Sequence, residues 1–165
     1  MSSNSAKKIL SSYWDDGSVP VNPTYIAAQM GVLVLADPRL DGSGHYKPEG
    51  WEGKPLITYS PCEHPVRQRF TIAHELAHHV LGHGERNRDT PEQFSMSYHD
   101  PKEIEANKFA AELLMPTDVI NAAIRVRDIK DLEKLAKVFG VSKAAMKFRL
   151  KELGYEIHYI GSYHG

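Results

Sequence analysis

Pro65-Val66-Arg67-Gln68-Arg69-Phe70-Thr71-Ile72-Ala73-His74-Glu75-Leu76-Ala77-His78-His79-Val80-Leu81-Gly82 opens with the residue best tolerated at a helix start and closes with the one that best ends a helix. The pattern predicts a helix over 65–81. Projected at about 100° per residue, Phe70, His74, Ala77, His78 and Leu81 share one face, while Ile72 and Leu76 lie nearly opposite. A helix apolar on two sides belongs in the middle of a fold, with other elements against both faces. His74 and His78 are four positions apart, so their imidazoles lie about 40° from each other round the axis and about 6 Å along it. Two imidazoles placed like this can grip one ion, and neutral ring nitrogens suit zinc. Glu75, one position on from His74, can face a water at such an ion and accept its proton, which makes it a general base rather than a ligand.

A catalytic zinc takes three protein ligands and keeps one position open. Where some His-Glu-x-x-His proteins carry a further histidine, six residues after the second, this chain has Gly84. His83 is one residue short and, on a continued helix, about 140° from His78. The third ligand is therefore expected elsewhere, and Glu103 is the best candidate. Asp100-Pro101-Lys102-Glu103 opens a second helix that runs to about Met115 and ends at Pro116. On it Glu103 shares a face with Ala106, Asn107, Ala110 and Leu114, while Glu105, Lys108 and Glu112 are expected on the wetter side. A carboxylate on an apolar face needs a cation. The small Ala106 and Ala110 would let this helix approach the first closely. The plainer alternative makes Glu103 the reciprocal member of a capping box begun by Asp100. Asn107, one turn on, can reach back to a ligating imidazole and support it, or can serve only as a polar cap on the core. The group that stabilises a tetrahedral oxyanion stays unassigned among His79, His83, Tyr98, His99 and several arginines. His79 is expected to be packed or exposed rather than catalytic, and His83 could simply meet the carbonyls at the helix end.

Upstream, residues 1–20 are rich in Ser, Asp and Gly and read as a lead-in segment. Asn22-Pro23 reads as an N-cap and first helical position, with the helix stopping at Gly31. Val32-Leu33-Val34-Leu35, a short stretch at His45-Tyr46, and Leu56-Ile57-Thr58-Tyr59 read as strands of a small antiparallel sheet. The fold class expected is α+β.

The chain has 165 residues, enough for one compact domain with an appendage. Lys+Arg 20 against Asp+Glu 21 gives a net charge of -1, so no global field draws the molecule to nucleic acid or anionic lipid. No apolar run reaches the length of a membrane span, and no signal peptide is read at the start. The single cysteine, Cys62, forms no intrachain disulfide, which suits a reducing compartment, and the cytoplasm is the expected location. Cys62 lies in a turn-like stretch, Ser60 to Pro65, and is read as a spectator rather than a nucleophile.

The last helical region, about Ile129 to Leu153, is interrupted at Gly140-Val141-Ser142 with the spacing of a helix-turn-helix. Its second helix carries Lys143, Lys147, Arg149 and Lys151, which taken alone suggests DNA binding. The competing reading, which we favour, packs both helices on the catalytic core with the basic residues as a solvated face. The organisation expected is a lead-in over 1–20, a domain over 21–125 that holds the metal site and a helix-turn-helix-like extension over 126–165 packed on it.

Two blocks, Arg69 to His78 and Glu103 to Pro116, closely resemble the ImmA/IrrE family of metallo-endopeptidases, and the resemblance covers most of residues 22–153. It implies a small zincin-like fold, one zinc per chain with manganese as the alternative metal, His74, His78 and Glu103 as ligands, Glu75 as catalytic base and Asn107 as support for a histidine. Related enzymes usually carry Asp at the position of Asn107. A neutral Asn still accepts an imidazole N–H but stabilises positive charge less. The resemblance also implies a protein substrate, a helix-turn-helix repressor, whose cleavage would switch on stress or mobile-element genes. No specific DNA contact and no membrane contact are expected. The alternative is a DNA- or protein-binding regulator with a structural or inactive metal site, but such a site has no need of Glu75 beside its ligands. Leu56–Tyr59 is the expected edge strand for holding an extended substrate.

Overall fold

The computed structural model describes residues 2–88 and 100–156. Local capping sets most of its elements. Asn22 accepts the Tyr25 N–H and starts α2 (Pro23–Gln29), following α1 (Ser2–Tyr13). Then come β1 (Leu33–Ala36), β2 (Gly44–Trp51) and β3 (Lys54–Tyr59), the long helix α3 (Pro65–Leu81) and β4 (Arg86–Arg88). The helix α4 (Pro101–Leu114) begins where Asp100 accepts the Lys102 N–H. It is followed by α5 (Thr117–Arg125), α6 (Leu132–Phe139), capped by Asp131, and α7 (Lys143–Glu152), capped by Ser142.

The strands form one sheet in the order β1-β3-β2-β4, backed by α3. β2 runs antiparallel to both β3 and β4, with Tyr46 opposite Ile57 and Arg86. β1, however, runs parallel to β3, with Leu33 opposite Leu56, so the sheet is mixed rather than wholly antiparallel. A simple meander would put β1 beside β2, but β4 pairs with that side of β2 and β1 pairs instead on the far side of β3. β3 is therefore an interior strand. Leu56–Tyr59 cannot serve as an open edge, because both sides of its backbone are already paired.

Buried residues from α1 to α7, among them Ala6, Ile26, Ile57, Leu76, Phe109, Leu113, Leu135, Phe139, Met146 and Leu150, form one core cluster. α3 runs through it with Thr71 to His78 all buried, as a helix apolar on two sides requires. Two helices were not legible beforehand. The first lies in the stretch read as a lead-in: α1 packs on α4 through Ala6, with Ile9 and Leu10 on the same stripe. That i, i+3, i+4 spacing was the available signal, masked by the polar composition around it. The second, α5, buries Ile120, Ala123 and Ile124 at the same spacing.

The helix-turn-helix pair is tied into this core. Arg69 on α3 donates from Nε to Gly140 O at 3.0 Å and from its terminal nitrogen to Val21 O at 2.5 Å, joining the central helix to the α6–α7 turn. Arg149 on α7 is buried and donates to Glu112 Oε1 on α4 at 2.8 Å. This corrects the expected wet position of Glu112, which also accepts the Thr117 N–H and hydroxyl. The basic face of α7 keeps Lys143, Lys147 and Lys151 exposed, while Arg149 is committed inward.

Candidate metal centre

α3 and α4 lie side by side, with Ala106 and Ala110 fully buried between them and the rest of the core. His74 and His78 project from α3 toward the first turn of α4, where Glu103 meets them. Glu103 Oε1 lies 3.0 Å from His74 Nε2, Glu103 Oε2 lies 3.2 Å from His78 Nε2, and the two Nε2 atoms are 3.2 Å apart. Both histidines are buried, and the Glu103 side chain is 13% exposed. A carboxylate at the N-terminus of α4 with its oxygens turned to two imidazoles is not capping its own helix.

The donor set fits a zinc ion. Ligand atoms about 2.0–2.2 Å from a tetrahedral ion stand about 3.3–3.5 Å from one another, close to the spacings here. Two imidazole nitrogens and one carboxylate also leave a fourth position for water or substrate. Burial acts to raise the Glu103 pKa, but the hydrogen bonds and charge of His74 and His78 outweigh it and hold the group well below the usual carboxylate range.

Around this trio stand the residues that orient it. Asn107 Oδ1 lies 2.8 Å from His74 Nδ1, across the α3–α4 contact. His78 Nδ1 lies 2.9 Å from His83 Nδ1, and His83 Nε2 lies 3.3 Å from Glu105 Oε2. Arg86 on β4 bonds Asp100 Oδ2 at 3.0 Å and lies 3.8 Å from Glu103 Oε2. Neither Arg86 nor the inward turn of His83 was singled out by residue spacing. Gly82, in the left-handed region at φ +69°, ends α3, and the His83 N–H then bonds back to His78 O at 3.0 Å. His83 so lies beside His78 rather than 140° round a continued helix, and burial lowers its pKa.

Glu75 is fully buried on the side of α3 that faces β2. Gly44 is its neighbour: a Cβ there would lie 2.4 Å from Thr71 Cγ2 and 3.2 Å from Glu75 Oε1. Absence of a side chain at Gly44 lets the strand lie directly on the helix at this carboxylate. His79 points elsewhere, with its Nδ1 2.8 Å from the Tyr46 hydroxyl oxygen. Burial lowers the pKa of His79 and raises that of Tyr46. Cys62 is exposed. Tyr98 and His99, considered for the oxyanion role, lie outside the described residues.

The model of a peptidase family, M78, described as the IrrE N-terminal-like domain, matches residues 27–151. The chain is 30% identical over 92 residues to the metallopeptidase ImmA of Bacillus subtilis (strain 168), an alignment covering 56% of this chain and 54% of that protein. It thus spans about half the length of that curated relative. Among solved structures, a Mycobacterium tuberculosis transcriptional regulator shares the fold with a TM-score of 0.63 at 18% identity, covering 91% of this chain and 46% of the other.

Proposed function

The chain belongs to the ImmA/IrrE family of metallopeptidases, whose IrrE N-terminal-like domain spans residues 27–151, and from that premise we propose that it is a zinc-dependent endopeptidase that cuts a helix-turn-helix transcriptional repressor. The observation that carries the reading is the convergence of His74, His78 and Glu103 with Glu75 buried on the next position of the same helix. His74, His78 and Glu103 would hold the ion. When bound, zinc polarises the scissile carbonyl and makes water a stronger acid at neutral pH. Glu75 takes the proton of the attacking water and delivers it to the leaving amine nitrogen. Asn107 keeps the His74 ring in place while this happens.

Substrate must lie extended beside the ion. The role first assigned to Leu56–Tyr59 passes to β4, an outer strand of the described sheet, which carries Arg86 next to Glu103 and pairs with Gly44 beside Glu75. Backbone pairing alone selects poorly, so the folded part of the repressor is read by a second surface, the exposed Lys147, Phe148 and Lys151 of α7. The segments 21–125 and 126–165 then divide the work of cutting and recognition, their described residues sharing one core. With Arg149 buried and a net charge of -1, a DNA-reading role for α7 is disfavoured. No helix of the described residues is long and apolar enough to cross a membrane, and we place the reaction in the cytoplasm, where repressors act.

Incubation with candidate repressors of the same genome, with and without chelator, followed by mass analysis of fragments, tests this. Discrete cuts within a linker, lost on chelation, are expected. Repressors left intact by the zinc-loaded protein would sink the proposal.

A further inference from the structure

Of the two histidines facing Glu103, His74 is held by Asn107, and a different side chain, His83, meets His78. Its Nδ1 lies 2.9 Å from His83 Nδ1, and on the far side of that second ring Nε2 lies 3.3 Å from Glu105 Oε2. We propose that His83, itself held by Glu105, is the positioning residue of His78. The inference rests on the metal-centre reading above.

Proton bookkeeping gives the contact its direction. His78 Nε2 faces Glu103 and His74 Nε2, so a cation held there requires a lone pair on that nitrogen and the ring proton on Nδ1. Two Nδ1 atoms 2.9 Å apart share one proton, which leaves His83 Nδ1 as the acceptor. The proton of His83 then sits on Nε2 and is donated to the Glu105 carboxylate. A carboxylate at the outer end selects this tautomer of His83, and His83 in turn selects the ligating tautomer of His78. The turn at Gly82 makes the contact possible by bringing the His83 backbone N–H onto His78 O at 3.0 Å. The His83 side chain is 7% exposed, so water competes little for its Nδ1, whereas Glu105 is 51% exposed and is the weaker half of the relay.

The test measures zinc affinity by competition with a chromophoric chelator in the full chain and in His83→Leu, His83→Asn and Glu105→Ala. Far-UV circular dichroism and the melting temperature of the metal-free proteins serve as the check on folding. His83→Leu should bind zinc about 10- to 100-fold more weakly. His83→Asn places an amide oxygen near the position of Nδ1 and should recover most of that loss. Glu105→Ala should cost about 1.5- to fivefold, as expected for a half-exposed pair. If His83→Leu is misfolded, the Asn and Glu105 variants decide, together with the nitrogen chemical shifts of His78, which should report a protonated Nδ1. Equal affinity in the parent and in folded His83→Leu, or equal loss in the Leu and Asn variants, would overturn the positioning role while leaving the metal centre intact. A parent chain that binds no zinc would instead remove the metal centre, and this inference with it.

Discussion

Asn107 Oδ1 and His74 Nδ1 lie 2.8 Å apart across the contact between α4 and α3. An oxygen at that distance keeps the ring proton on Nδ1 and turns the Nε2 lone pair toward Glu103. Replacing Asn107 with Leu should therefore weaken zinc binding about 10- to 100-fold. Asn107→Asp should bind at least as tightly as the parent, because a carboxylate makes the imidazole more basic. Chelator competition gives both values, and an unaffected Leu variant would remove Asn107 from the site.

One ion per chain is expected by elemental analysis of the purified protein, and His78→Ala or Glu103→Ala should lose most of it. Because zinc would bind the folded chain selectively, chelation should lower the melting temperature. The stabilisation removed is about 4 kcal/mol for zinc present at about a thousandfold over its dissociation constant. Full metal retention in either variant would contradict the ligand assignment.

Glu75→Gln should retain the fold and the zinc, since the carboxylate is not among the ligating atoms, yet lose proteolysis by about 10²- to 10⁴-fold because an amide cannot accept the proton. Initial rates on a cleaved repressor decide it. Cleavage at the parent rate would show that another group acts as base.

Gly44→Ala puts a methyl group 2.4 Å from Thr71 Cγ2 and 3.2 Å from Glu75 Oε1. Strand β2 must lift from α3, at a cost of about 1–3 kcal/mol in a denaturant melt. Activity should fall beyond what the stability loss explains, because Glu75 shifts with its neighbours. A variant with parental stability and rate would show that the strand has room to spare.

Arg149→Ala leaves Glu112 buried without its guanidinium and should destabilise the chain by about 3–5 kcal/mol, whereas the paired replacement Arg149→Met with Glu112→Leu should recover much of this. Denaturant melts of the single and double variants give the comparison. DNA binding by the parent should be weak, salt-sensitive and independent of sequence. A footprint on a defined operator would promote the DNA-binding alternative.

The amino-acid sequence by itself determined the elements whose causes are local. Pro65 and Gly82 bound α3, Asp100 and Pro116 bound α4, and the four-residue steps from His74 to His78 and from Glu103 to Asn107 put each pair on one helical face. Those signals act within a few residues, so they can be read without knowing the rest of the chain. Only the tertiary structure decided that Leu56–Tyr59 is an interior strand, because strand pairing is a contest between segments far apart in sequence. It likewise turned Glu112 into a core residue, since its partner Arg149 arrives from 37 positions away. His83 belongs to both. The glycine before it marks a helix end, but the redirected backbone and the carboxylate of Glu105 on another helix are what bring its ring onto His78. A polar side chain takes its place from the groups folding brings to it, and its own residue type fixes only which groups those can be.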